Sequence, residues 1–266
     1  MTPQDHRAAA RALLQAEASR KQIGLLSLAH PGMTLDDAYA VQAELIAMKI
    51  AAGRHQIGWK IGLTSRAMQE QLKIDTPDSG VLLDDMLFAD GATILKNHFI
   101  QPRVEAEIAF LMARDLSGAD ITRADVIAAT AHVAPALEIL DTRILRSDPA
   151  TGKARIITDT VSDNAANAGI VLGPLRHPVD AHDLRWVGAI VKRDAVVEET
   201  GLGAGVLDDP ATGILWLVQR LAAYGQGLKA GDIVLSGSFV RAIEAPPGSR
   251  FQADFGAFGS VTIKFE

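Results

Sequence analysis

The periodicity of the chain changes at Gln56. Before it, small and apolar residues recur at helical spacing among charges: Ala8, Ala12 and Ala16 with Leu13 and Leu14, then Tyr39, Leu45, Ile46 and Ile50. Thr34 followed by Asp37 has the form of a capping box, and Gly53 is a natural helix stop. From Gln56 the segment QIGWKIGLTS alternates. Ile57, Trp59, Ile61 and Leu63 point one way, and Gly58, Lys60, Gly62 and Thr64 the other, which is the two-residue period of a strand.

The rest of the chain follows the second pattern. PRVEAEIAFLMA and HVAPALEILD read as strands, and GIVLG, LRWVGAIVK, DIVLSGSF, RFQADF and SVTIKF as shorter ones. A short helix is expected over 65–72, another from Thr122 and Asp125, and a third from Asp208-Asp209-Pro210. Strands and helices do not alternate as βαβ units, which disfavours a doubly wound sheet. The expected class is α+β: a helical N-terminal region (1–55) packed on a mixed β core (56–266), acting as one functional unit.

Composition narrows the function. With 48% hydrophobic residues in 266, a large packed core is available and general disorder is excluded. A net charge of −6 argues against nucleic-acid binding, which needs a basic face. The chain has no cysteine, which removes disulfide scaffolds, thiolate metal sites and cysteine nucleophiles. No apolar run reaches the length of about 18 residues needed to span a bilayer, and the first residues lack a signal-peptide core. A cytoplasmic protein is expected. Gly201, Gly203 and Gly205 suggest a dinucleotide loop, but Val206 stands where its third glycine would fall.

The polar residues on strands carry the chemical signal. Glu105 and Glu107 share one strand face with Ala109 and Leu111, and Glu138 sits alone in APALEIL. Carboxylates on partly apolar faces repel one another and resist ionisation unless a cation offsets them. One reading pairs them at the surface with Arg103 and Arg143; the other is a hard-cation site for Mg²⁺ or Mn²⁺. Lys60 lies between two glycines that clear its face. An apolar niche there could lower its pKa for acid–base work, or it could simply snorkel from an edge. Asp78 lies in a Pro-Asp-Ser-Gly turn that would leave it exposed. SDNAANAG (162–169) and Ser236-Gly237-Ser238 read as loops able to cap a helix or bind an anion.

Together GWKIGLTS, the Pro-Asp-Ser-Gly-Val-Leu turn, PRVEAEIAF, PALEILD, DTVSDNAANAG and GSVTIKF resemble the hydratase and decarboxylase branch of the fumarylacetoacetate hydrolase superfamily. LLDDM and DPATGKAR bring the likeness nearest to members that hydrate a seven-carbon dienedioate. The resemblance implies a β-rich fold of the fumarylacetoacetase C-terminal type and a homo-oligomer. It implies Mg²⁺ (or Mn²⁺) on Glu105, Glu107 and Glu138, with Lys60 and Asp78 as acid and base. It places Ser162, Asn164, Gly237 and Ser238 on substrate-contacting loops. The implied substrate is a small 2-oxo or 2-hydroxy-dienoic diacid. Arg143, Arg146, Lys153 and Arg155 are candidates for its far carboxylate. Decarboxylation uses the same implied site, and a non-catalytic small-acid binder stays open.

Overall fold

Thr2 and Thr34 each accept a hydrogen bond from the backbone amide of an aspartate, Asp5 and Asp37, whose carboxylate bonds back to the threonine amide. These capping boxes open α1 (Pro3–Ser19) and, after the single turn α2 (Leu26–Ala29), α3 (Leu35–Ala51). The computed structural model describes residues 1–266 except 67, 68, 71–73 and 75. Half of the short helix expected over 65–72 therefore falls outside the described residues; within it Arg66, Gln69 and Glu70 are helical. α1 buries Ala9, Leu13 and Ala16, whereas Ala8 is exposed and Ala12 half-buried. Alanine is too small and neutral to mark a helix face by itself. Ile50, expected on the apolar face of α3, is 45% exposed.

From Gln56 the chain forms two sheets. The first strands are β1 (Gln56–Gly62), β2 (Asp78–Leu83), β3 (Leu87–Phe88), β4 (Thr93–Ile94), β5 (Arg103–Met112), β6 (Thr130–Leu140) and β7 (Asn167–Leu172). Then come β8 (Gly188–Arg193), β9 (Val196–Leu202), β10 (Ile233–Ser238), β11 (Ile243–Glu244), β12 (Arg250–Asp254) and β13 (Ser260–Phe265). The helices among them are α4 (Arg123–Ala129), α5 (Ile157–Ser162) and α6 (Pro210–Ala222). One sheet runs β2-β1-β10-β5-β6-β7-β3, with β11 also on β5; the other runs β4-β13-β12-β8-β9. β1 pairs parallel with β10, and β5 antiparallel with β6 and β10, so the main sheet is mixed.

β9 was not expected as a strand. Most of its side chains are exposed or half-buried on both faces, so the stretch has no apolar alternation to reveal it. Gly201 lies near its end, and Gly203–Gly205 form a single turn of 3₁₀ helix. SDNAANAG is likewise not a single loop: it spans the end of α5, a short turn and the start of β7.

The period-two pattern of β5 divides its side chains between two environments. Val104, Ala106, Ile108 and Phe110 are fully buried and pack in one cluster with Phe251, Ala253, Val261 and Ile263 of the second sheet. Burying each large side chain of this kind stabilises the fold by about 1.5–3 kcal/mol. The opposite face carries the polar residues, bordered by a smaller apolar cluster of Ala109, Ala136, Ile170, Leu235 and Ile46 of α3. Among the described residues, no helix is long and apolar enough to cross a membrane.

Candidate metal centre and cleft

Strand register gathers the candidate residues. Glu105 stands opposite Glu138 across the β5–β6 ladder, and Ser238 of β10 stands opposite Glu107. Lys60 of β1 is paired with Leu235 of β10, which is itself opposite Ala109. On the other edge of β1, Gly62 faces Asp78 of β2. Residues directly paired in a ladder share a face, so Lys60, Asp78, Glu105, Glu107 and Glu138 project from one side of the sheet. One carboxylate oxygen from each glutamate lies within 4.8 Å of the others.

Lys60 and Asp78 are 3% and 2% exposed, so both belong to the interior; the lysine occupies a buried niche rather than snorkelling from an edge, and the turn does not leave the aspartate exposed as expected. Gly62 makes their proximity possible. A Cβ there would come 2.2 Å from Asp78 Oδ1 and 3.2 Å from Lys60 Nζ. From the helical region, the Ser79 amide donates to Tyr39 Oη at 3.2 Å, and Gln42 Nε2 donates to the Ser79 carbonyl at 2.9 Å. The aspartate's backbone is therefore tied to α3.

Two glutamates each have one oxygen held and one free. Glu138 Oε1 accepts from Asn167 Nδ2 at 2.7 Å and lies 3.4 Å from Lys60 Nζ. Glu107 Oε2 accepts from the Gly237 amide at 2.8 Å. Gly237 has φ +115°, and a Cβ on it would meet Thr64 Oγ1 at 2.3 Å, so a larger residue would push this amide away. Glu138 Oε2 and Glu107 Oε1 are buried without a hydrogen-bond partner, as is Asp78 Oδ1.

The charge balance explains the titration of these groups. Burial, and then repulsion from Glu138, pushes Glu105 up to about 8. Burial with Glu138 and Glu105 raises Glu107 well above the carboxylate range. Burial also raises Asp78, although Lys60 and the Gly62 amide pull the other way. Lys60 behaves oppositely to expectation. Burial alone would lower it, but Glu138 and Asp78, with Glu105 and Glu107, hold the ammonium protonated above its ordinary range. Uncompensated negative charge and unpartnered buried oxygens on hard ligands fit a divalent cation, and Glu105, Glu107 and Glu138 could hold one.

A cleft of about 770 Å³ opens beside Glu105, lined by Gly62, Thr64, Ser238 and Phe239 among others. Of the residues expected on substrate loops, Ser238 is on its wall, and Gly237 acts through its amide on Glu107. Ser162 Oγ donates to the Thr158 carbonyl within α5. The Asn164 side chain bonds to both the amide and the carbonyl of Val81, which anchors β2.

Asn167 was not singled out from the sequence. The three residues before it, Asn164, Ala165 and Ala166, all have positive φ, between 52° and 58°. Such backbone is strained in non-glycine residues, by about 1–3 kcal/mol each. Here it leads the chain into β7 with Asn167 against Glu138. The signal available was the small-residue composition of SDNAANAG, which marked the loop but not the asparagine that matters.

The matches to known proteins agree with this geometry. Residues 51–265 match the model for the Fumarylacetoacetate (FAA) hydrolase C-terminal family. The chain belongs to that family. It is 49% identical over 260 residues to a 2-oxo-hept-4-ene-1,7-dioate hydratase of Escherichia coli, covering 98% of this chain and 97% of that one. It is 40% identical to a 2-keto-4-pentenoate hydratase of Paraburkholderia xenovorans (strain LB400), covering 100% and 97%. It superposes with a TM-score of 0.94 on 4-oxalocrotonate decarboxylase from Pseudomonas putida G7 complexed with magnesium and adipate, at 31% identity over 100% of this chain and 99% of that one.

Proposed function

We propose that this protein is a hydro-lyase that adds water to 2-oxo-hept-4-ene-1,7-dioate, giving 4-hydroxy-2-oxoheptane-1,7-dioate in the catabolism of an aromatic acid. The observation that carries the reading is the free pair of buried oxygens, Glu107 Oε1 and Glu138 Oε2, beside Lys60 and Asp78. Its support in sequence is the 49% identity to a hydratase of that name along nearly the whole chain.

In this reading Glu105, Glu107 and Glu138 hold Mg²⁺, or Mn²⁺ in its place. The ion supplies Lewis acidity that stabilises negative charge on a substrate oxygen. Lys60 remains an ammonium, adding fixed positive charge where the enolate develops and holding Glu138 in place. Asp78, raised by burial, exchanges the proton. The enol of the substrate loses its hydroxyl proton and gains one at carbon five, giving a conjugated 2-oxo-3-enoate. Water then delivers hydroxyl to carbon four, and carbon three takes the remaining proton. Ser238 and Phe239 form part of the wall along which the chain of the substrate lies.

The helical region 1–55 and the core 56–266 act as one unit in this proposal, because Tyr39 and Gln42 secure the residue next to Asp78. We place the enzyme in the cytoplasm as a homo-oligomer.

A second reading, decarboxylation of a related 2-oxo diacid, is favoured by the fold match to 4-oxalocrotonate decarboxylase. The 49% identity to a hydratase weighs more than 31% to the decarboxylase. The test is a spectrophotometric assay of dienedioate consumption after chelation and after adding back Mg²⁺. Activity that is lost with chelator and restored by Mg²⁺ supports the assignment; full activity in excess chelator overturns it.

A further inference from the structure

β5 carries a third polar side chain on the face that bears Glu105 and Glu107. Arg103 is one step further along the same alternation, about 6.7 Å from Glu105 along the strand. Arg103 and Glu105 line the same cleft. The cleft is thus acidic at the metal centre and cationic one pleat away.

The other arginines on that wall are committed. Arg193 is paired with Glu198 at 2.5 Å, and Arg241 with Glu199. Arg103 is only partly engaged. Its Nη2 donates to Glu244 Oε1 at 3.0 Å, but that glutamate side chain is 73% exposed, so the pair is weakened by water. Its Nε is buried and has no partner among the described residues. Two more guanidiniums stand close behind. Arg146 is pushed down to about 10 by burial and by Arg103 and Arg155. Among the described residues, Arg146 bonds only to Gln101, and Arg155 to the Thr142 hydroxyl.

Glu244 and Asp141 partly offset Arg146, and Asp163 and Asp159 partly offset Arg155, whereas among the described residues Arg103 pairs only with the exposed Glu244. The sequence segment 143–155 contributes two of its four candidates to the cluster. Arg143 is excluded because it is buried against Asp163, at 2.5 Å, and Lys153 is exposed.

We infer that Arg103 receives the far carboxylate of the diacid substrate, with Arg146 and Arg155 adding positive potential behind it. The inference rests on the dienedioate reading above and adds the residue that selects for the second carboxylate. A guanidinium can meet a carboxylate with two parallel hydrogen bonds. The buried, unpartnered Nε and the Nη2 now on Glu244 form the edge that would supply them once the guanidinium turns from Glu244 to the substrate.

The test compares two unreactive probes of equal chain length, 2-oxoheptanedioate and 2-oxoheptanoate. Binding is measured by calorimetry to the Mg²⁺-loaded protein, and kcat/KM is measured for the dienedioate and for 2-hydroxypenta-2,4-dienoate. Wild type should bind the diacid about 10- to 100-fold more tightly than the monoacid, the range of a charge-assisted hydrogen bond. Arg103→Met should bring that ratio close to one and reduce the diacid-to-monoacid ratio of kcat/KM in parallel. Arg103→Lys, which keeps the charge and loses the fork, should fall between and decides the matter if Arg103→Met does not fold. A diacid preference that survives both substitutions within about twofold overturns the role of Arg103 alone. A wild type without diacid preference overturns the substrate reading and this inference with it.

Discussion

Asn167 Nδ2 donates to Glu138 Oε1 at 2.7 Å, leaving Glu138 Oε2 buried and unpartnered. The asparagine thereby decides which oxygen of the carboxylate is available to a cation. Asn167→Ala should weaken Mg²⁺ binding by about 10- to 100-fold, the usual effect of losing a group that orients a metal ligand. Asn167→Asp should do so more strongly, since it sets a second anion against Glu138. Calorimetric Mg²⁺ affinities equal to wild type would show that the bond does not orient the ligand.

Glu107→Gln separates function from stability. The neutral amide can still accept from the Gly237 amide, but it removes a carboxyl that the metal-free protein can bury only by taking up a proton or by leaving a charge unoffset. At neutral pH the metal-free variant should be more stable than wild type by about 1–3 kcal/mol, while its Mg²⁺ affinity and turnover collapse. Denaturant unfolding with chelator present reads the first effect. A metal-free variant less stable than wild type would contradict it.

The same charges make metal-dependent stability a function of pH. Glu105 is held near 8, above the 4.5 of an ordinary glutamate, so the folded metal-free chain binds this proton more tightly than the unfolded chain does. Its contribution to stability is present below about pH 4.5 and is lost as pH rises toward 8. Cation binding needs the deprotonated carboxylates and relieves their repulsion. The rise in Tm on adding Mg²⁺ should therefore grow between pH 5 and 8. A shift independent of pH would count against a carboxylate-only site.

Lys60 and Asp78 should respond differently to removal. Lys60 is 3% exposed and surrounded by carboxylates. Lys60→Met should destabilise the metal-free fold by about 3–5 kcal/mol, because it leaves buried anions unpaired. Asp78→Asn should leave the thermal transition close to wild type while lowering kcat about 10²-fold or more. Near-native turnover in Asp78→Asn would remove it from the proton transfer.

How far the sequence carried depended on how each residue's partners are reached. Glu105 and Glu107 lie two apart on a strand whose alternate residues are all apolar, so their shared face was readable from spacing. That Glu138 stands opposite Glu105 follows from the β5–β6 register, which no local pattern specifies. Pairing Gly62 with Asp78 is a similar long-range fact. The protonation of Lys60 was misjudged because burial was visible in its apolar flanks while the four carboxylates around it were not. β9 escaped notice because both its faces meet solvent. Arg103 entered the sequence reading only in the alternative that pairs the glutamates at the surface, since its incomplete pairing emerges only when Glu244 and the neighbouring arginines are placed.

The central claim is that the carboxylate centre, with Lys60 and Asp78, serves water addition to a dienedioate. The most direct measurement supplies the Mg²⁺-loaded protein with the enzymatically generated dienedioate in isotopically labelled water, and follows the product by NMR and mass spectrometry. The account predicts 4-hydroxy-2-oxoheptane-1,7-dioate carrying one solvent oxygen at carbon four, with no carbon dioxide released. Release of carbon dioxide, or an unchanged substrate in the presence of Mg²⁺, would contradict it.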